Sequence, residues 1–193
     1  MLLNDQEITQ LARKGMIDPF TPRHVSRVGR LSVLSYGLSS FGYDLRLSPK
    51  EFYIFRRVPG MVVDPKNFNR DCLERVPLQK GRNGKFFIIP ANSYGLGVAV
   101  EWLSMPKNVS GMCLGKSTLA RVGLIANATP AEAGWSGHLT LEFSNASSSD
   151  CRIYANEGCV QMLFFSGNPC KTGYQDRAGK YEKQREEVTM ARV

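Results

Sequence analysis

The chain has 193 residues, 42% of them hydrophobic, and a formal net charge of +8. That length and apolar content suit one domain, residues 1–193, with a sizeable core, and no apolar run is long enough to cross a bilayer. The charge suits an anionic partner. Yet no basic block and no zinc-finger or RNP-type motif marks a nucleic-acid surface, so a small phosphate-bearing ligand fits better.

The start, MLLNDQEITQ, lacks the basic segment and apolar stretch of a secretory signal. The five cysteines are odd in number, and none are paired as C-x-x-C. Reduced thiols in a cytoplasmic protein are the expectation, with Cys113 and Cys159 in the core.

In chain order, the first predicted element is a helix. Asn4 can cap it, Glu7 completes a capping box, and Leu3 and Ile8 stand at the hydrophobic-staple positions. Ile8, Leu11 and Ala12 form its apolar stripe, and Gly15 can stop it. Strand signals follow: SVLSYGLSSFGYDLRLSP, EFYIFRRV, KFFIIP and SYGLGVAVEWL, then GHLTLEFSN, CRIYANE and CVQMLFF. Short strands punctuated by Pro, Gly and Asn indicate a mainly β domain, a sandwich, barrel or jelly roll. Ser117 to Val122, STLARV, reads as a further short helix. Residues 168–193 are polar and charged and read as a mobile lid or tail.

Three segments carry chemistry. GKSTLARVGL offers a glycine, Lys116, the hydroxyls of Ser117 and Thr118, and Arg121 at a helix start, where free backbone N–H groups favour an anion. Its spacing is not that of a Walker A loop. NATPAEAGWSG places Glu132 in a loop ten residues before Glu142. In GHLTLEFSN, alternation puts Leu139, Leu141 and Phe143 on a core face and His138, Thr140, Glu142 and Ser144 on a polar one. Glu142 is then either a solvent-facing charge or a base held against a substrate. A zinc deaminase site is excluded, because neither histidine is followed by the required Glu and no P-C-x-x-C pair exists. No nucleophile elbow is present either.

These segments, together with GMIDPF, VVDPKNF, IIPANSYGL, IYANEGCVQMLFF and AGKYEKQ, resemble the dCTP deaminases, relatives of the trimeric dUTPases, over nearly the whole chain. The resemblance implies a distorted jelly-roll-like β-barrel of the dUTPase type, with a short N-terminal helix and one or two further short helices. It implies zinc-independent hydrolysis of dCTP to dUTP and ammonia. Glu142 would shuttle the proton, with Ser117 and Arg121 as its catalytic companions. Substrate contacts would come from Lys116, Ser117, Thr118, Leu119, Ala120 and Arg121, from Thr140, Leu141 and Gln161, and from Tyr174, Lys180 and Gln184. Glu132 would lie near the sugar. Magnesium would accompany the triphosphate, and sites would lie between subunits of a homotrimer. In relatives thymidine triphosphate inhibits. The chain departs from the family at QREEV, where relatives usually carry a glycine after the Gln, and at Glu132, an Asp in some members. A dUTPase, or a bifunctional enzyme taking dCTP to dUMP, is the alternative, although the tail lacks the glycine-rich arm of a dUTPase. A non-catalytic nucleotide-binding module is the further alternative.

Overall fold

The computed structural model describes residues 1–127 and 129–192; Ala128 of the NATPAEAGWSG loop and Val193 of the tail lie outside it. Helix α1 (Asp5–Ala12) is followed by β1 (Ile17–Asp18), β2 (His24–Val28), β3 (Leu31–Ser39), β4 (Gly42–Arg46), β5 (Tyr53–Phe55), β6 (Leu73–Arg75), β7 (Gln79–Gly81), β8 (Gly84–Ile89), β9 (Tyr94–Ser104) and β10 (Val109–Gly115). A one-turn helix α2 (Ser117–Ala120) leads to β11 (Leu124–Asn127), β12 (Pro130–Ala131), β13 (Ser136–Asn145), β14 (Cys151–Tyr154) and β15 (Gly158–Ser166).

The strands form two six-stranded antiparallel sheets. One runs β12-β10-β15-β4-β3-β2; the other runs β11-β13-β9-β5-β6, with β1 also paired to β9. A small third sheet runs β14-β8-β7. The chain is mainly β, as expected, and its paired sheets are of the jelly-roll-like kind without a closed barrel among the described residues. The capping box at α1 is formed as predicted: Glu7 N–H donates to Asn4 Oδ1 at 3.0 Å, and Asn4 N–H donates to the Glu7 carboxylate at 2.9 Å. β10 was not anticipated. Its sequence, VSGMCLG, has two glycines and little strand character, and is held as a strand by pairing with β15 on one side and β12 on the other.

The core lies where the two large sheets face each other. Leu45 of β4, Cys113 of β10 and Met162 and Phe164 of β15 are buried, as are Leu103 of β9 and Leu141 and Phe143 of β13. Phe52 stacks on Phe87 at 5.2 Å and on Phe143 at 6.3 Å between ring centroids. A side chain at Gly97 would come within 2.6 Å of Leu47 and 3.0 Å of Phe52, so β9 needs glycine there for the ring to fit. One ion pair ties the sheets together. Arg46 at the end of β4 gives its backbone N–H (2.9 Å) and its Nε (2.7 Å) to the two carboxylate oxygens of Glu101, fully buried on β9. Burial pushes the Glu101 carboxyl upward and the Arg46 guanidinium pulls it back. No described helix is long and apolar enough to span a membrane.

Candidate active site

β13 lies between β11 and β9 and carries the carboxylate that raised the question. Its ladder with β9 slips between His138 and Thr140, where two steps on β13 oppose four on β9. Beyond the slip, Glu142 stands opposite Leu96 of β9 and Asn127 of β11. Thr140 and Glu142 line a cavity of about 740 Å³, while Leu141 and Phe143 turn into the core. Leu139, expected on the core face alone, also borders the cavity at the slip. Burial pushes the Glu142 carboxyl up to about 7, opposed by a hydrogen bond from its own backbone. Its charge is felt by two neighbours: Tyr94 and Cys113 are both raised, first by burial and then by Glu142.

The loop before β13 supplies the cavity floor and mouth. Trp135 is buried, and its Nε1 donates to the Tyr181 carbonyl at 2.7 Å. Glu132 lies at the mouth in an ion pair with Arg177.

The remaining wall is the C-terminal segment, expected as a lid or tail. The predicted mobile lid is docked on its own chain. Lys183 N–H donates to the Ser136 carbonyl at 2.8 Å, and His138 N–H to the Gln184 carbonyl at 2.9 Å. Thr140 Oγ1 donates to Gln184 Oε1 at 3.0 Å and accepts from Thr189 N–H at 3.1 Å. The unusual QREEV stretch provides the fastening. Glu186 accepts from Ser48 Oγ at 2.7 Å and pairs with Lys50, and Val188 is buried against Leu96 and Val98 while its N–H meets the Glu51 carboxylate. The segment is held along its length by these backbone and side-chain contacts, unlike a frayed terminus, although Glu182 Oε2 is buried without a partner among the described residues.

The cavity therefore gathers Glu132, Thr140, Glu142, Tyr174, Lys180 and Gln184. It does not gather Lys116, Ser117, Thr118, Leu119, Ala120, Arg121, Leu141 or Gln161. Leu119 and Leu141 have their side chains in the core, so a contact to a ligand from either would be through the backbone. Ser117, Thr118, Ala120 and Arg121 are exposed on and beside α2, with Arg121 Nη1 donating to the Ser117 carbonyl at 3.0 Å. Lining residues that the sequence does not single out include Phe55, Phe68, Leu96, Arg177 and Thr189. Arg177 lies within the aromatic and cationic run of the tail, and Thr189 stands just past QREEV; neither position carries a distinguishing spacing.

Residues 2–167 match the family described as dCTP deaminase-like. The chain is 47% identical over 183 residues to a dCTP deaminase of Azotobacter vinelandii, covering 94% of each chain. It is 47% identical over 194 residues to one of Novosphingobium aromaticivorans, covering 100% of this chain and 99% of the other. Among solved structures, it resembles the 2'-deoxycytidine 5'-triphosphate deaminase of Agrobacterium tumefaciens with a TM-score of 0.59 and 17% identity, over 86% of this chain and 48% of that one, a likeness of fold. A family match over residues 2–167 and 47% identity over nearly the whole length of its members lead to one conclusion: the chain belongs to the dCTP deaminase family.

Proposed function

We propose that the protein hydrolyses the exocyclic amine of dCTP, giving dUTP and ammonia. The observation that carries this is a carboxyl poised at about 7 in the cavity wall, in a chain of this family. A base with its pKa near the working pH can both take and return a proton. Glu142 takes a proton from water as the oxygen attacks C4 of the ring, then returns it to the ring nitrogen or the departing amine. One water is consumed, the C4–N bond breaks and a carbonyl replaces it. Ser117 orients the water or the leaving amine, and Arg121 stabilises developing negative charge. Trp135 and Tyr174 bound the base and sugar, with Glu132 toward the sugar. Lys180 and Gln184 hold the triphosphate, whose magnesium arrives as part of the substrate.

The α2 residues do not line the Glu142 cavity of their own chain. We infer that a second copy supplies them, in a homotrimer with sites between subunits. The exposed apolar side chains of Met112, Val122 and Ile125, flanking α2, suit such an interface. The test is to follow ammonia and pyrophosphate separately with purified protein and dCTP. Ammonia with intact dUTP is the expected result, and Glu142→Gln abolishes it while leaving dCTP binding largely intact. Full turnover by the variant removes Glu142 from its role, and release of pyrophosphate assigns the bifunctional reaction instead.

A further inference from the structure

A second buried carboxylate lies outside the cavity. Asp44 sits in the apolar run of β4, an internal strand, with its side chain 4% exposed. In the ladders it stands opposite Gln161 of β15, and Gln161 stands opposite Leu114 of β10, two residues before Lys116. Residues directly opposite in antiparallel strands share a face, so Asp44, Gln161 and Leu114 form one row leading to the start of α2. Lys116 reaches back over that row. Its Nζ lies 2.5 Å from Asp44 Oδ2 and 3.2 Å from Ser35 Oγ, with the lysine side chain 11% exposed. His24 Nε2 lies 3.8 Å from the same oxygen. The other oxygen, Asp44 Oδ1, is buried without a partner among the described residues.

Burying an ammonium and a carboxylate is unfavourable unless geometry compensates, so the placement calls for a reason. Lys116 is the N-cap residue of α2, with extended backbone and no side-chain cap bond. A helix of one turn is not self-supporting and takes its position from its attachments. Its attachments are the buried Leu119 and, at the entry, Lys116. Arg121 is in turn pinned by its hydrogen bond to the Ser117 carbonyl. The backbone at 116–117 therefore sets where both the Ser117 hydroxyl and the Arg121 guanidinium are presented.

We propose that Asp44 is a positioning residue for the deamination: through Lys116 it fixes the entry to α2 and so the placement of Ser117 and Arg121. Lys116 is then a strut whose charge is neutralised by Asp44, not a ligand of the phosphates. This inference rests on the function proposed above. It is tested in the full-length enzyme with Lys116→Met, Asp44→Asn and the double variant. Misplacing a reacting group by about 1 Å costs on the order of a hundredfold in rate. Each variant is therefore expected to lower kcat by about ten- to a hundredfold, with KM for dCTP within about twofold of wild type. The double variant is expected to be no worse than either single one, as for two residues acting through one contact. Lys116→Arg, which keeps a cation within reach of Asp44, recovers kcat relative to Lys116→Met.

A tenfold or larger rise in KM for Lys116→Met with kcat kept, and no effect of Asp44→Asn, overturns the proposal and makes Lys116 a phosphate ligand. Asp44→Asn leaves a buried cation unpaired and can fail to fold. The double variant removes both charges and decides alone: lowered kcat with KM kept supports the strut, and wild-type kcat overturns it. If wild-type protein itself releases no ammonia from dCTP, the functional reading falls. Amide hydrogen exchange at residues 117–121 then decides the strut: faster exchange in the double variant supports it, and unchanged exchange overturns it.

Discussion

Glu142 shows how surroundings change the acidity of one side chain. An exposed glutamate titrates near 4.5, and burial in the cavity wall moves this one to about 7. As the proposed base it must be ionised in the free enzyme, and a neighbouring copy's cation would loosen its proton, so kcat/KM for dCTP should rise with pH along a limb at or below about 7 and then level off. Arg121→Ala, which removes a cation from beside it in the proposed assembly, should move that limb upward and lower turnover by about two to four decades. An unshifted limb and an unchanged single-turnover rate would separate the two residues. The same burial has a consequence for stability. The folded carboxyl holds its proton more tightly than the unfolded one between about 4.5 and 7, so this group lowers stability as pH rises through that window. Glu142→Gln cannot ionise and escapes the loss. Its Tm relative to wild type should increase between pH 5 and pH 8 when followed by thermal melts, and parallel curves would show that Glu142 titrates normally.

Among elements, the tail's composition predicts mobility, and the structure shows it docked. Composition records how polar a segment is, but not whether a neighbouring strand edge offers it partners. Ser136, His138 and Thr140 of β13 offer those partners to Lys183, Gln184 and Thr189. Truncation after Lys183 removes Gln184 and the Glu186 and Val188 fastenings. It should raise KM for dCTP by about ten- to a hundredfold, through loss of the Gln184 contact and of the docking that holds Lys180 at the cavity. An unchanged KM would mean that the segment is only packing. Between β4 and β9, the Arg46–Glu101 pair predicts a different result. Arg46→Ala leaves Glu101 buried without its cation, keeping only the backbone N–H bond, and should cost about 3–5 kcal/mol in denaturant unfolding. A loss under about 1 kcal/mol would show the pair to be no better than an exposed one.

On the scale of the whole molecule, the two parts of the proposed site belong to different sheets, and residues 116–121 do not line the Glu142 cavity. Glu142 belongs to the β11-β13-β9-β5-β6 sheet, while Lys116 through Arg121 follow β10 of the other sheet. If neighbouring copies complete each site, a variant that lacks Glu142 and one that lacks Arg121 should repair each other. Unfolding Glu142→Gln and Arg121→Ala together and refolding the mixture should restore ammonia release well above that of either variant alone. No restored activity from mixed oligomers would place both residues in a site built from a single chain.

Sequence alone determined the strand-rich class, the capping box at Asn4 and Glu7, and the core assignment of Cys113, Cys159 and Phe143. These are local or alternating patterns, and the forces behind them act over a few residues. The linear order of motifs was enough to place the chain beside the dCTP deaminases. Tertiary structure decided the rest. It took the strand β10 from an unpromising VSGMCLG, turned Glu142 toward a cavity instead of open solvent, and fastened the tail through Glu186 and Val188. It also drew Lys116 to Asp44, seventy-two positions away. The reason is common to all four: burial and pairing depend on residues distant in sequence, and neither propensity nor alternation carries information about a partner until the sheets are assembled.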